Sequence, residues 1–168
     1  MIILGLDPST KAVGWALLEA ENDTLLNLGV IRAEHLDKFC GETLLYFGSY
    51  LINQIFVNPT LDRLDVVACE RPIQYKNADT TYKLGQVFGM IHFLALQWTD
   101  TFLDIVPSER LTWLGLPGNL PRKMAKEQVT RLVNLRYSLD LTPEDHDAAD
   151  ALAVALAGWC KIQREMMT

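Results

Sequence analysis

A chain of 168 residues can bury a sizeable core, and 49% apolar with 21% charged residues is the composition of an ordinary globule. No apolar run reaches the ~20 residues that span a bilayer, and no cationic, apolar leader opens the sequence, so neither membrane insertion nor secretion is expected. Three scattered cysteines, Cys40, Cys69 and Cys160, form no C-x-x-C pair; they argue against a disulfide framework or zinc knuckle and predict reduced thiols in a cytoplasmic protein, while the net charge of −6 taken alone argues against a nucleic-acid partner.

Residues 2–6 (IILGL), 13–19 (VGWALLE) and 25–31 are apolar runs parted by Pro8-Ser9-Thr10 and Glu21-Asn22-Asp23, which predicts three strands in an antiparallel meander. From 36 to 57, apolar residues from Leu36 and Phe39 to Ile55 and Phe56 recur at helical spacing until Asn58-Pro59 stops them. Residues 64–69 (LDVVAC) predict a short buried strand, 77–98 a helix and 102–106 another strand. Pro107-Ser108 opens one or two helical turns over 109–114, and after the loop 115–121 a basic amphipathic helix covers 122–137. Thr142 as N-cap, Pro143 in the first turn, and Glu144 and Asp145 at the positive helix end announce the last helix. No repeat or linker interrupts this order, so one domain over 1–168 is expected, an α/β sheet with helices packed on it.

The net charge hides an uneven distribution. Residues 71–136 carry nine Lys/Arg against five acids, a local +4, and the remainder six against sixteen, a local −10. Such a basic middle can follow a phosphate backbone, or it can be a solvated helix face. Two carboxylates stand at strand ends: Asp7 before Pro8, and Glu70 after LDVVAC with Pro72 two residues on. Asp147 and Asp150, three apart in HDAADALAVALA, share one face of the final helix, whose alanines let its backbone approach the sheet. Each acid alone is a turn-former or a surface charge. Four together repel, and persist only with divalent cations or basic partners; hard oxygen ligands suit Mg2+ or Mn2+, and two such ions can drive phosphodiester hydrolysis. His146 beside Asp147 is read as an auxiliary at most, and His35 and His92 are given no role.

These motifs resemble the RuvC family of Holliday junction resolvases. ILGLDPSTKAVGWALLE is similar to its first motif, CERPIQYKNADTTYKLGQVFGMI to its second, and PSERLTWLG, KMAKEQV and DHDAADALAVALA to the rest, in order and over nearly the entire chain. The resemblance implies a ribonuclease H-like fold, a mixed five-stranded sheet with helices on both faces. It implies a homodimeric, Mg2+-dependent endonuclease, two ions per site with Mn2+ able to substitute, that nicks two strands of a four-way DNA junction symmetrically. Carried over by position, Asp7, Glu70, Asp147 and Asp150 match the metal-binding catalytic acids, with Asp7 bridging both ions. Lys76, Arg110 and Lys126 would contact or neutralise phosphates, with Arg122 and Lys123 continuing the basic strip. Leu84, Val87, Phe88 and Ile91 would lie in a dimer interface or, equally, in the core.

The chain departs from the family pattern in carrying Ile73 where an aromatic commonly stacks on opened bases, with Tyr75 nearby as a substitute. The loop GLPGNLPRKMAK is longer and richer in Pro than the family's, and the overall charge is more acidic, which suggests a phage-type or divergent member. The leading expectation is thus a two-metal, structure-selective DNA endonuclease acting on branched DNA. The alternatives are a broader flap or debranching nuclease, a junction-binding protein with little cleavage, and, from the DPST start, a small actin-like phosphotransferase, for which the chain is short.

Overall fold

The computed structural model describes residues 1–36, 38–57, 64–73 and 77–167. Strands β1 (Ile2–Pro8), β2 (Ala12–Glu19), β3 (Thr24–Arg32), β4 (Val66–Glu70) and β5 (Phe102–Ile105) form one sheet in the order β3-β2-β1-β4-β5. The first three pair antiparallel, whereas β4 runs parallel to β1 and β5 parallel to β4. Helices α1 (Gly41–Tyr50), α2 (Ala78–Ala95), α3 (Pro107–Trp113), α4 (Arg122–Tyr137) and α5 (His146–Met166) flank it. Among the described residues no helix is long and apolar enough to cross a membrane.

Strand alternation divides the core in two. Ile3, Leu18, Val66, Ala68 and Ile105 meet buried residues of α3, α4 and α5 on one face; Leu4, Leu6, Val13, Val67 and Cys69 meet those of α1 and α2 on the other. Both layers that the resemblance implies are therefore present. The α5 face is close-packed through small residues: a Cβ on Gly5 would overlap the Ala151 carbonyl, one on Gly14 the Asp147 carbonyl, and one on Gly158 would lie 2.8 Å from the Ala68 Cβ. These contacts run α5 antiparallel to β1, with the helix start beside the carboxyl end of the strand.

Several boundaries differ from the sequence pattern, each for a local reason. β1 runs on through Asp7 and Pro8, which pair with Gly14 and Val13, so Asp7 lies in the strand and not after it. Glu70 likewise is the last residue of β4. The first helix begins at Gly41, where the Cys40 N–H donates to Thr43 Oγ1 (3.2 Å), and from Leu51 to Phe56 it widens to i→i+5 bonding. The Thr142 cap is realised: Thr142 Oγ1 accepts from the Glu144 N–H and Asp145 Oδ2 from the Thr142 N–H, and a 3-10 turn over Pro143–Asp145 leads into α5. On α2, Leu84, Val87 and Ile91 are buried in the protomer, as the core reading has it, while Phe88 is only partly buried against the same core as Val87 and Ile91. The large apolar residues of α2 that face outward are Tyr82 and Phe93, 68% and 70% exposed, with open space over Gly85 and Gly89 between them.

Candidate active site

The same alternation that builds the core aims the acids. Ile3 and Gly5 face α5, so Asp7 two residues on does too; Val66 and Ala68 face α5, so Glu70 follows. Both stand at the carboxyl ends of adjacent parallel strands, where open α/β sheets place their sites. Gly14, the register partner of Asp7, lets the backbone of Asp147 come against β2, and Asp150 follows one turn later on the inner face of α5. All four carboxylates line one cavity of about 410 Å³ together with Arg110, Arg122 and Lys126.

The acids are not equivalent. Asp150 is 3% exposed, Glu70 largely buried and Asp7 partly open, while the side chain of Asp147 keeps 31% exposure. Burial pushes the Asp7 carboxyl well above its ordinary range, and the charges of Glu70 and Asp150 push it further, against the pull of Arg110. Glu70 and Asp150 are also raised, first by burial, with Arg110 as the largest opposing influence on each. The Lys126 ammonium donates to Asp147 Oδ1 (3.0 Å) and lies 3.9 Å from Asp150 Oδ2. Arg110 is only 6% exposed, its Nη1 3.0 Å from Glu70 Oε2 and 3.1 Å from Asp150 Oδ1.

A divalent cation suits this donor set. Glu70 Oε2 and Asp150 Oδ1 are buried without a hydrogen-bond partner, and anionic oxygens so placed are the ligands that hard cations take. Among the described residues no three His, Cys, Asp or Glu groups already converge as a metal cage, and the Arg110 Nη1 stands near both Glu70 and Asp150. The residues therefore fit the ion by chemistry, with Arg110 as the group that shares its ligands.

The other expected residues divide. Ile73, 44% exposed, lines the cavity, as does Arg122; Lys123 is exposed on the first turn of α4 outside the lining. Tyr75 and Lys76 lie outside the described residues. Arg110 was expected on phosphate but is turned inward to two acids. His146 bonds through Nδ1 to Thr130 Oγ1 (2.7 Å) and does not line the acid cavity. Sequence reasoning missed Thr10 and Ser108 at the cavity wall. Ser9 beside Thr10 fixes its turn by donating to the Ala12 carbonyl (2.8 Å); the DPST and PS strings carried that signal, read only as turn chemistry.

A profile of the crossover junction endodeoxyribonuclease RuvC matches residues 3–158. The chain belongs to the RuvC family. The RuvC of Natranaerobius thermophilus is 34% identical over 161 residues, covering 93% of this chain and 92% of that one, and the RuvC of an Enterobacter species is 32% identical over 170 residues, 99% and 90% of the two chains. Among solved structures, T. thermophilus RuvC in complex with a Holliday junction substrate superposes with a TM-score of 0.76 at 21% identity, covering 97% of this chain and 96% of that one. The fowlpox virus resolvase, solved with a Holliday junction, gives 0.63 at 14% identity over 96% and 99% of the two chains. This family chain thus has the mixed five-stranded sheet of those structures.

Proposed function

We propose that this chain, one nuclease domain over residues 1–168 working in the cytoplasm as a homodimer, resolves four-way DNA junctions by symmetric nicking. The observation that carries the reading is the convergence of Asp7, Glu70, Asp147 and Asp150 with three cationic side chains in one cavity of about 410 Å³. Family membership supports the substrate class, and the three free cysteines accord with a reducing compartment.

Asp7, Glu70, Asp147 and Asp150 would hold Mg2+, with Mn2+ as a substitute. Bound there, two ions supply an activated water and neutralise the charge on the leaving oxygen. The protein's own part is positional. β1 and β4 fix Asp7 and Glu70 on rigid strand ends, and the glycine contacts of α5 fix Asp147 and Asp150 against them. Lys126, its side chain 26% exposed at the cavity wall, can transfer from Asp147 to a phosphate oxygen, with Arg122 on the same wall beside it. Two nicks of like polarity require two such sites related by a two-fold axis, and the outward stripe of Tyr82, Gly85, Gly89 and Phe93 on α2 supplies a self-complementary surface for that contact.

One observation favours a second reading. Ile73 at the cavity rim has no aromatic face on which to stack an opened base, which suits less selective cleavage of flaps and forks. The test compares a mobile four-way junction with duplex, flap and fork in Mg2+, with Asp7→Asn as control. Paired nicks confined to the junction are expected, with cleavage by Asp7→Asn down by about 10³-fold and junction binding retained. Equal cutting of flaps and forks would favour the second reading, and undiminished cutting by Asp7→Asn would overturn the site.

A further inference from the structure

Arg110 has a place in the cavity that phosphate recognition does not account for. An arginine kept as a permanent structural partner of a carboxylate makes forked, well-aligned hydrogen bonds. Arg110 does not fork onto either acid: a single nitrogen, Nη1, stands 3.0 Å from Glu70 Oε2 and 3.1 Å from Asp150 Oδ1, shared between the two. One shared nitrogen holds both acids, so neither carboxylate is locked into a forked pair, and an ion that takes these oxygens must displace Nη1.

The charges lead the same way. Four carboxylates against Arg110, Arg122 and Lys126 leave the cavity formally at −1 when all are ionised. One divalent ion takes that to +1, and a second to +3, unless a phosphodiester arrives or a side-chain cation withdraws. Lys126, at the cavity wall, is already paired with Asp147, so the cation that stands against the oxygens of both Glu70 and Asp150 is Arg110.

We propose that Arg110 is an internal competitor for the divalent cation: its guanidinium bridges Glu70 and Asp150, positions them, and must turn aside when an ion takes their oxygens, so that it sets the metal affinity of the β4–α5 side of the site. Arg110 is a positioning residue in this role. The proposal rests on Glu70 and Asp150 being metal ligands, as read above.

The test uses the full-length protein without DNA and Mn2+ as the probe. Mn2+ affinity is measured by titration calorimetry and by paramagnetic resonance for wild type, Arg110→Met and Arg110→Lys, and thermal unfolding is followed with and without Mn2+. Arg110→Met is expected to bind Mn2+ about tenfold or more tightly, and to be less stable than wild type without the ion but to recover with it; Arg110→Lys should lie between. Unchanged affinity, with a stability loss that Mn2+ leaves unaltered, would give Arg110 a purely structural role and overturn the proposal. Should Arg110→Met fail to fold, the wild type decides: the Arg110 Nε and Nη resonances should shift as diamagnetic Ca2+ is titrated in, and resonances that stay fixed while Ca2+ binds would overturn it. If wild type binds neither ion and Asp7→Asn changes nothing, the metal-site reading itself has failed, an outcome distinct from binding that ignores Arg110.

Discussion

The two faces of the sheet are built from side chains of different size, and the difference explains where the chemistry sits. On the α1/α2 face, large residues such as Phe47, Leu51, Ile55 and Ile91 fill the gap between helix and sheet, so no helix backbone needs to touch a strand. On the other face Gly5, Gly14 and Gly158 remove the gap, and α5 lies directly on β1, β2 and β4. Only that contact brings carboxylates on a helix within reach of carboxylates on strand ends. The large-residue face buys stability and the small-residue face buys position.

The sharpest way to break the comparison is to add the same methyl group to both faces. Gly5→Ala would drive a Cβ into the Ala151 carbonyl, backbone against backbone with no rotamer to relieve it, and is expected to cost about 3 kcal/mol of stability and to lose cleavage as α5 shifts. Gly48→Ala on the other face meets the Met90 Sδ at 3.3 Å and Leu94 at 3.5 Å, both ends of flexible side chains, and is expected to cost less than about 1 kcal/mol. Urea unfolding of the two variants checks this; equal losses would mean the close approach of α5 has no special energetic role.

A smaller effect separates the inner and outer sides of α2. Phe93 is 70% exposed in the protomer, so Phe93→Asp should leave the fold intact by circular dichroism while weakening self-association by about 2 kcal/mol. Sedimentation equilibrium reads the result, and a dimer as tight as wild type would exclude this face of α2 from the contact.

How much of this was legible in the sequence follows from the same division. The meander, the parallel strands and the last three helices could be read because apolar period and turn residues coincide there; Thr142-Pro143 marked the start of the 3-10 turn that leads into α5 at His146. The membership of the acid cavity could be read because strand-end and i, i+3 placement are local rules. Direction was not legible on α2, where apolar residues occupy both the buried and the outer side, so spacing alone did not separate Val87 and Ile91 from Tyr82 and Phe93. Nor was the inward turn of Arg110. Its position on α3 is local, but whether a guanidinium meets solvent phosphate or buried acids depends on β4 and α5, which lie 40 positions away in either direction.

The last contrast lies between the cavity acids that burial strains and an acid outside the cavity, at the start of α5, that its cap stabilises. Asp7, Glu70 and Asp150 hold protons in the folded protein at pH values where the unfolded chain has already released them, since their folded values lie above the ordinary 3.8 of an aspartate and 4.5 of a glutamate. The folded state then binds more protons than the unfolded one, and stability falls as pH rises from about those ordinary values through the raised ones. Asp145 has the opposite sign: the Thr142 backbone N–H and hydroxyl hold it low, so its contribution is present above 3.8 and is lost as pH falls through its folded value, though its exposure makes that contribution small. The two act on opposite sides of the ordinary carboxylate values, and Asp7→Asn isolates the first. Without divalent cations at neutral pH, Asp7→Asn should be more stable than wild type by about 1 kcal/mol, or roughly 2–4 °C, and the advantage should vanish as pH approaches 3.8. Adding Mg2+ should reverse the order, because the wild-type charge that destabilises the empty fold is the charge that binds the ion. A variant no more stable than wild type at neutral pH would mean that the Asp7 carboxylate is already compensated by Arg110, and would move the strain of the site from β1 to the β4–α5 side.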